Sequence, residues 1–377
     1  MRDLGNLLQL YRQGMSFFGS EQGALLASGL PTEMPLADLQ MLLAHRQGAL
    51  PVLAAVPFCS DSPVQVVEPE QVCIFHRGCD VLIESGHAAL QRVLANHATV
   101  QAPSPSTYQL NVQKALAQIR ARVFDKVVLA RSLTINTDVD LPGLLNTMAA
   151  RNPLGYTFAL ELFGPQRRTL IGASPELLLA KRGGLIVSNP LAGSIAHCTD
   201  PKEDALRAQA LLRSEKDRRE HALVVDSVVA ALRPYCVSLD VPEGPSLLST
   251  PTMWHLSTEI RGELIDPYAS SLDLALALHP TPAVCGYPEE AARAFIAQHE
   301  GFERGLFTGL VGWSTSGGDG EWAVTIRCAE VGDGQATLYA GAGIVAGSEP
   351  ELELAETSAK LRTMLGAMGL ESVLEAS

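Results

Sequence analysis

Four carboxylates in this 377-residue chain fall into two pairs at helical spacing, Asp217 with Glu220 and Glu353 with Glu356. Residues at i and i+3 share one face of a helix, so each segment can present both acids toward a common point. Hard oxygen donors of this kind suit Mg2+, which takes one or two carboxylates and leaves its other positions to water and an anionic substrate. A solvated acidic face has the same spacing, so spacing alone does not choose between the two.

Other positions carry similar pairs of readings. Lys126 opens the apolar run Val127-Val-Leu-Ala130, where it is either a desolvated base or a strand-end lysine that reaches solvent. Glu176, in Gly172-Ala-Ser-Pro-Glu176, is a proton donor with a raised pKa or an ordinary turn glutamate. Arg327 lies in the apolar string Trp322-Ala-Val-Thr-Ile-Arg327 and needs an anion, either a substrate carboxylate or an internal acid. His255, in Thr250-Pro-Thr-Met-Trp-His255, reads by type as a core histidine. The glycines of Gly341-Ala-Gly-Ile-Val-Ala-Gly347 offer bare amides to an anion or make a tight turn. That run matches neither a Walker A loop nor GxGxxG.

The elements that must hold these residues follow from pattern. Short apolar runs at 50–56, 64–67 and 71–75 come first, then a helical stretch near 87–95. Ala102-Pro-Ser-Pro-Ser106 reads as a linker, because two prolines interrupt both helix and strand. A helix over 112–123 and a strand over 126–135 follow. Strands at 156–162, 169–171, 177–180 and 185–187 come next, with Gly183-Gly184 as a hairpin turn. A long helix over 202–233 carries the first acidic pair. Strands at 309–313, 322–329 and 337–340 precede a last helix over 351–364, which carries the second pair. Hairpin-like runs of strands with helices between them predict an α+β fold of large, mainly antiparallel sheets with helices outside, as one domain over 1–377.

Composition bounds the function. The chain is 47% apolar and 18% charged, with a formal charge of −13, which argues against a nucleic-acid backbone or an anionic membrane as main partner. A local cluster of cations or a metal can still reverse the sign inside a pocket. Seven scattered cysteines give no zinc or disulfide framework. With no signal-peptide pattern and no apolar run of spanning length, a cytoplasmic protein is expected.

Read together, nine ordered strings resemble the chorismate-utilising enzymes, and among them the isochorismate synthases, particularly those of siderophore pathways. They are Lys126-Val-Val-Leu-Ala-Arg131, Ile171-Gly-Ala-Ser-Pro-Glu-Leu177, Pro190-Leu-Ala-Gly-Ser194, Ser214-Glu-Lys-Asp-Arg-Arg-Glu-His221 and Thr250-Pro-Thr-Met-Trp-His255. His279-Pro-Thr-Pro-Ala283, Gly320-Glu-Trp-Ala-Val-Thr-Ile-Arg-Cys328, Ala340-Gly-Ala-Gly-Ile-Val345 and Glu356-Thr-Ser-Ala-Lys360 complete the set. The likeness covers 108–365, with a weaker match over 1–105 at Ser16-Phe-Phe-Gly and Leu25-Leu-Ala-Ser-Gly29.

The resemblance implies Mg2+-dependent conversion of chorismate to isochorismate, in which water adds at ring C2 as the C4 hydroxyl leaves. By matching position, Lys126 is the general base and Glu176 the general acid on the opposite ring face. Such chemistry requires a neutral lysine and a protonated glutamate, the reverse of their states in water. Glu220 and Glu356 match direct metal ligands, and Asp217 and Glu353 their supporting acids. Arg327 matches the clamp on the enolpyruvyl carboxylate. Gly193, Ser194, Ala283, Lys360 and the backbone at Gly341 match other substrate contacts, and His255 a histidine beside the ring.

The relatives differ in chemistry. Resembling aminodeoxychorismate synthases carry a nucleophilic lysine where this chain has Ala192, and anthranilate synthases usually have Gln at the Lys126 position. Lys126 with Ala192 therefore favours water as nucleophile, with no amidotransferase subunit and a monomer expected. Salicylate synthases, which go on to eliminate pyruvate, menaquinone-pathway isochorismate synthases and a non-catalytic anion-binding protein are the alternatives. A supply of 2,3-dihydroxybenzoate is the expected destination.

Overall fold

The computed structural model describes residues 4–46, 48, 50–59, 61–76 and 99–374. The helical stretch expected near 87–95 lies outside them. Among the described residues, strands form sheets of ten, nine and three members, and the paired strands run antiparallel.

The strands read as almost unbroken apolar runs because both faces of the large sheets are covered. In Tyr156–Leu162, Phe158, Leu160 and Leu162 face the nine-stranded sheet, whereas Ala159 faces helices Leu141–Arg151 and Pro350–Met368. In Val52–Val56 the alternation is the same, with Leu53 and Ala55 between the sheets and Val52, Ala54 and Val56 under the outer helices. Period-2 side chains thus feed two cores from one strand, and four layers result.

Several expected elements stand as read. Tyr156–Leu162 and Lys126–Asn136 are strands, and Gly183-Gly184 turns the hairpin between Leu177–Arg182 and Leu185–Asn189. Four expectations change. Ala102–Ser106 is no linker: Ala102 ends strand Thr99–Ala102, and Ser104 caps helix Pro105–Arg120 by accepting from the Thr107 amide at 3.2 Å. A proline at the first helical position gives up no needed hydrogen bond. The long helix is two, Pro201–Arg213 and Glu215–Leu232, broken at Ser214, whose hydroxyl caps the second by accepting from Asp217. The strand expected over 322–329 stops at Val324 and resumes at Cys328 in the other large sheet. Finally, Gly341–Val345 is not a loop, because strand Gln335–Val345 runs through it, paired along its length with the Lys126 strand.

Candidate active site

The chain passes from one large sheet to the other at two adjacent places. Arg168–Ser174 belongs to the ten-stranded sheet and Leu177–Arg182 to the nine-stranded one, with Glu176 in the crossing. Gly320–Val324 and Cys328–Gly332 repeat the passage in reverse, with Arg327 in the crossing. The crossings are stitched together: the Val324 amide donates to the Glu176 carbonyl at 3.1 Å, and the Ala173 amide to the Arg327 carbonyl at 3.1 Å. Arg327 takes φ of +52°, a left-handed conformation that a non-glycine residue holds only where its surroundings impose it.

Both side chains are buried in a shared cavity of about 60 Å³. Burial pushes the Glu176 carboxyl up to about 7, against the pull of the Leu191 amide and then of Lys126, Arg327 and Lys360. Arg327 makes no ion pair among the described residues; its Nη2 reaches only the Met253 sulfur, at 3.8 Å. Burial lowers its pKa to about 10, with Glu356 and Glu176 opposing. The internal carboxylate partner that would have explained this arginine is not there. His255 joins them from strand Met253–Ser257, buried and held neutral by desolvation and then by the charges of Arg327 and Lys360. Its Nε2 is buried without a hydrogen-bond partner.

The opposite wall carries the acids. Helices Glu215–Leu232 and Pro350–Met368 bring Asp217, Glu220, Glu353 and Glu356 within electrostatic reach of one another. Burial raises Asp217, and the charges of Glu220 and Glu356 add to it. Glu353 is raised by burial and then by Glu356. For Glu356 burial acts upward, yet Lys360, Lys216 and Ser194 together hold it below the usual carboxylate range. Each glutamate grips a lysine: Lys126 Nζ lies 2.9 Å from Glu220, Lys216 2.9 Å from Glu353, and Lys360 2.6 Å from Glu356. Among the described residues, therefore, no three such groups stand together as a formed metal cage.

Backbone detail makes the room. A Cβ on Gly343 would lie 2.1 Å from Glu220 Oε1 and 2.9 Å from Lys126 Cε, so only glycine lets that pair form beside strand Gln335–Val345. Gly193 sits at a register shift in Leu191–Ala196 with φ of +80°, its missing side chain facing Asp217. Next to it Ser194 donates to Glu356 at 3.1 Å. Gly341 lines the cavity, but its carbonyl accepts from Lys360 at 2.8 Å, and its strand pairing leaves no anion-cradling loop. Ala283 lines the far side, its amide donating to Thr281.

Two supports, the Glu300–Arg304 pair and Lys216, lie outside the residues singled out in the sequence. Buried Arg304 donates to the carbonyls of Val128 (2.9 Å) and Val284 (2.7 Å), while its partner Glu300 accepts from the Ala130 amide (2.8 Å). One ion pair thus ties the Lys126 strand to the loop bearing Ala283. The Glu300–Arg304 spacing of four is a readable signal in the sequence, whereas Lys216 lies in a charged helical run that gives no sign of its distant partner Glu353.

The chorismate binding enzyme family matches residues 63–369, most of the chain. The chain belongs to the chorismate-binding enzymes. Isochorismate synthase DhbC of Bacillus subtilis is 46% identical, over 98% of this chain and 97% of the relative. The vibriobactin-specific isochorismate synthase of Vibrio cholerae is 42% identical, over 94% and 91%. A Bacillus anthracis structure, assigned as the 2,3-dihydroxybenzoate-specific isochorismate synthase DhbC, superposes with a TM-score of 0.88 at 44% identity, covering 98% of this chain and all of that one.

The residues fit the magnesium that the resemblance implies. The donors on the helix wall are carboxylates, the hard ligands that Mg2+ takes, and Gly343 leaves the space in which Glu220 approaches. The unpartnered His255 Nε2 and the unpaired Arg327 face the same cavity, as expected where an anion binds.

Proposed function

We propose that the protein is an isochorismate synthase that converts chorismate to isochorismate, supplying 2,3-dihydroxybenzoate synthesis. The observation that carries the reading is a buried carboxylic acid raised to about 7 beside a buried, unpaired guanidinium, facing a wall of lysine-paired acids. Water is a poor nucleophile and hydroxide a poor leaving group, so a base and an acid must act at once. Lys126 takes a proton from the water that adds at C2, and Glu176 gives its proton to the C4 hydroxyl, which leaves as water. Arg327 clamps the enolpyruvyl carboxylate in charge-assisted hydrogen bonds. Gly193, Ser194, Ala283, Gly341 and Lys360 shape the rest of the pocket, and His255 offers its neutral ring to the substrate.

Glu220 and Glu356 would hold Mg2+, supported by Asp217 and Glu353, and the ion would supply positive charge against the ring carboxylate. In that role Glu220 would give up its contact with Lys126, leaving the lysine to serve the water. Lys126 together with Ala192 favours water as the nucleophile, and with water as nucleophile neither an amine donor nor an amidotransferase subunit is required. We further read the chain as one domain acting as a cytoplasmic monomer; no helix of the described residues is long and apolar enough to cross a membrane.

Chromatography of the products from chorismate, with Mg2+ and with EDTA, tests the reading. Isochorismate formed only with metal is the expected result. Salicylate with pyruvate would make the protein a salicylate synthase, and no conversion would leave only binding.

A further inference from the structure

A second cavity, of about 430 Å³, adjoins the first and shares Pro175 and Arg327 with it. It lies between the end of helix Leu141–Arg151, the loop at Thr250–Thr252 and the last turns of helix Pro350–Met368. Its volume is that of a small-molecule site and exceeds the inner cavity's, which is about 60 Å³. A hydrogen bond of 2.9 Å between the hydroxyls of Thr252 and Thr363 closes one wall.

The lining reverses the sign of the molecule. It carries Arg151, Arg327 and Arg362 against one acid, Glu371, in a chain whose formal charge is −13. Arg151 and Arg362 are exposed and make no ion pair among the described residues, and Arg327 at the inner end is buried and equally unpaired. Three cations without an ion pair among the described residues line a path from solvent toward Glu176. Gly366 keeps the path wide, for a Cβ there would meet only the side-chain ends of Glu371 (3.2 Å) and Arg151 (3.4 Å).

We propose that this outer cavity is the vestibule through which a small dicarboxylate reaches the site, gathered by Arg151 and Arg362 and handed to Arg327. The substrate's identity rests on the isochorismate synthase reading. A vestibule has a kinetic signature that a binding pocket lacks, because blocking it slows arrival and departure together.

The test follows chorismate binding with Mg2+ by stopped-flow tryptophan fluorescence in a Glu176→Gln background, which removes turnover. If this parent does not bind chorismate, the functional reading fails before the vestibule is tested. In a parent that binds, Gly366→Phe should slow association and dissociation each by about tenfold and leave Kd within about twofold. The exposed pair Arg151→Gln/Arg362→Gln, which does not threaten folding, should slow association about tenfold at ~20 mM salt and less than twofold at ~0.5 M. Unchanged rates in both variants would overturn the proposal, as would an association loss that ignores salt.

Discussion

The two walls of the cavity handle charge in opposite ways. On the crossing side, Glu176 and Arg327 lie on backbone fixed by two sheets, and neither makes an ion pair among the described residues. On the helix side, Glu220, Glu353 and Glu356 each hold a lysine. An unpaired buried charge destabilises a fold, so the crossing wall is set for a partner that arrives from outside. On the helix wall three of the four acids are already paired with a lysine. The first wall is therefore sensitive to what occupies the site, and the second to what holds its acids apart.

The largest effect should come from the crossing wall. Glu176→Gln keeps the shape and removes the proposed proton donor, so kcat should fall about 10³-fold while chorismate still binds. In the parent enzyme kcat/KM should decline as pH rises through about 7, where the free acid loses its proton, and the variant should lack that limb. The same shift enters stability. Because folding raises this carboxyl from 4.5 to about 7, its contribution is full below 4.5 and is lost as pH climbs through 7. Urea unfolding should show about 3 kcal/mol of this dependence, absent from the glutamine variant.

Next is Arg327→Met, which should weaken chorismate binding by about 10²-fold or more in calorimetry. It should also stabilise the ligand-free protein by about 1–3 kcal/mol, since no internal partner is lost. A lower melting temperature would show that the guanidinium is satisfied within the fold, and the contrast between the walls would collapse. Gly343→Ala forces a methyl into the Lys126–Glu220 contact, and kcat should fall about 10²-fold from misplacement on the base side. Smallest is the ligand-free stability of Glu356→Gln, which should drop by about 1–2 kcal/mol because Lys360 loses its anion. Its sign, opposite to that of Arg327→Met, is the sharpest check on the comparison.

Local pattern revealed much of this molecule. The strand at Lys126, the Tyr156–Leu162 strand and the Gly183-Gly184 hairpin follow from alternation and turn residues, and the i,i+3 acids lie on two helices, of which Glu220 and Glu356 line the cavity and Asp217 and Glu353 do not. Pattern misleads where one residue type serves two purposes. Pro105 breaks a helix in its middle but starts one at its first position. Ser214 interrupted a continuous helical pattern because its hydroxyl caps the next helix. The apolar run through Thr325–Arg327 gave no sign of a crossing, since it is buried on either side of the change of sheet. Gly341 and Gly343 looked like a loop, although strand pairing to the Lys126 strand and close packing by side chains from elsewhere in the chain explain them. Two of the three lysine–acid pairs, Lys126 with Glu220 and Lys216 with Glu353, are long-range contacts that no local window contains, whereas Lys360 with Glu356 is an i,i+4 pair.

The stitching of the two crossings also determines where the chain tolerates changes of length. Hairpins such as Gly183-Gly184 and Asp333-Gly334 lie at strand ends remote from the crossings, so inserted residues there simply lengthen a turn. One residue added near Pro175 or Ile326 would shift a strand by one position, exchanging the side chains that face the two cores and pulling the neighbouring crossing with it. Loop grafting on this scaffold therefore has free ground at its hairpins and almost none at its centre, where a deletion in one crossing would call for a matching deletion in the other.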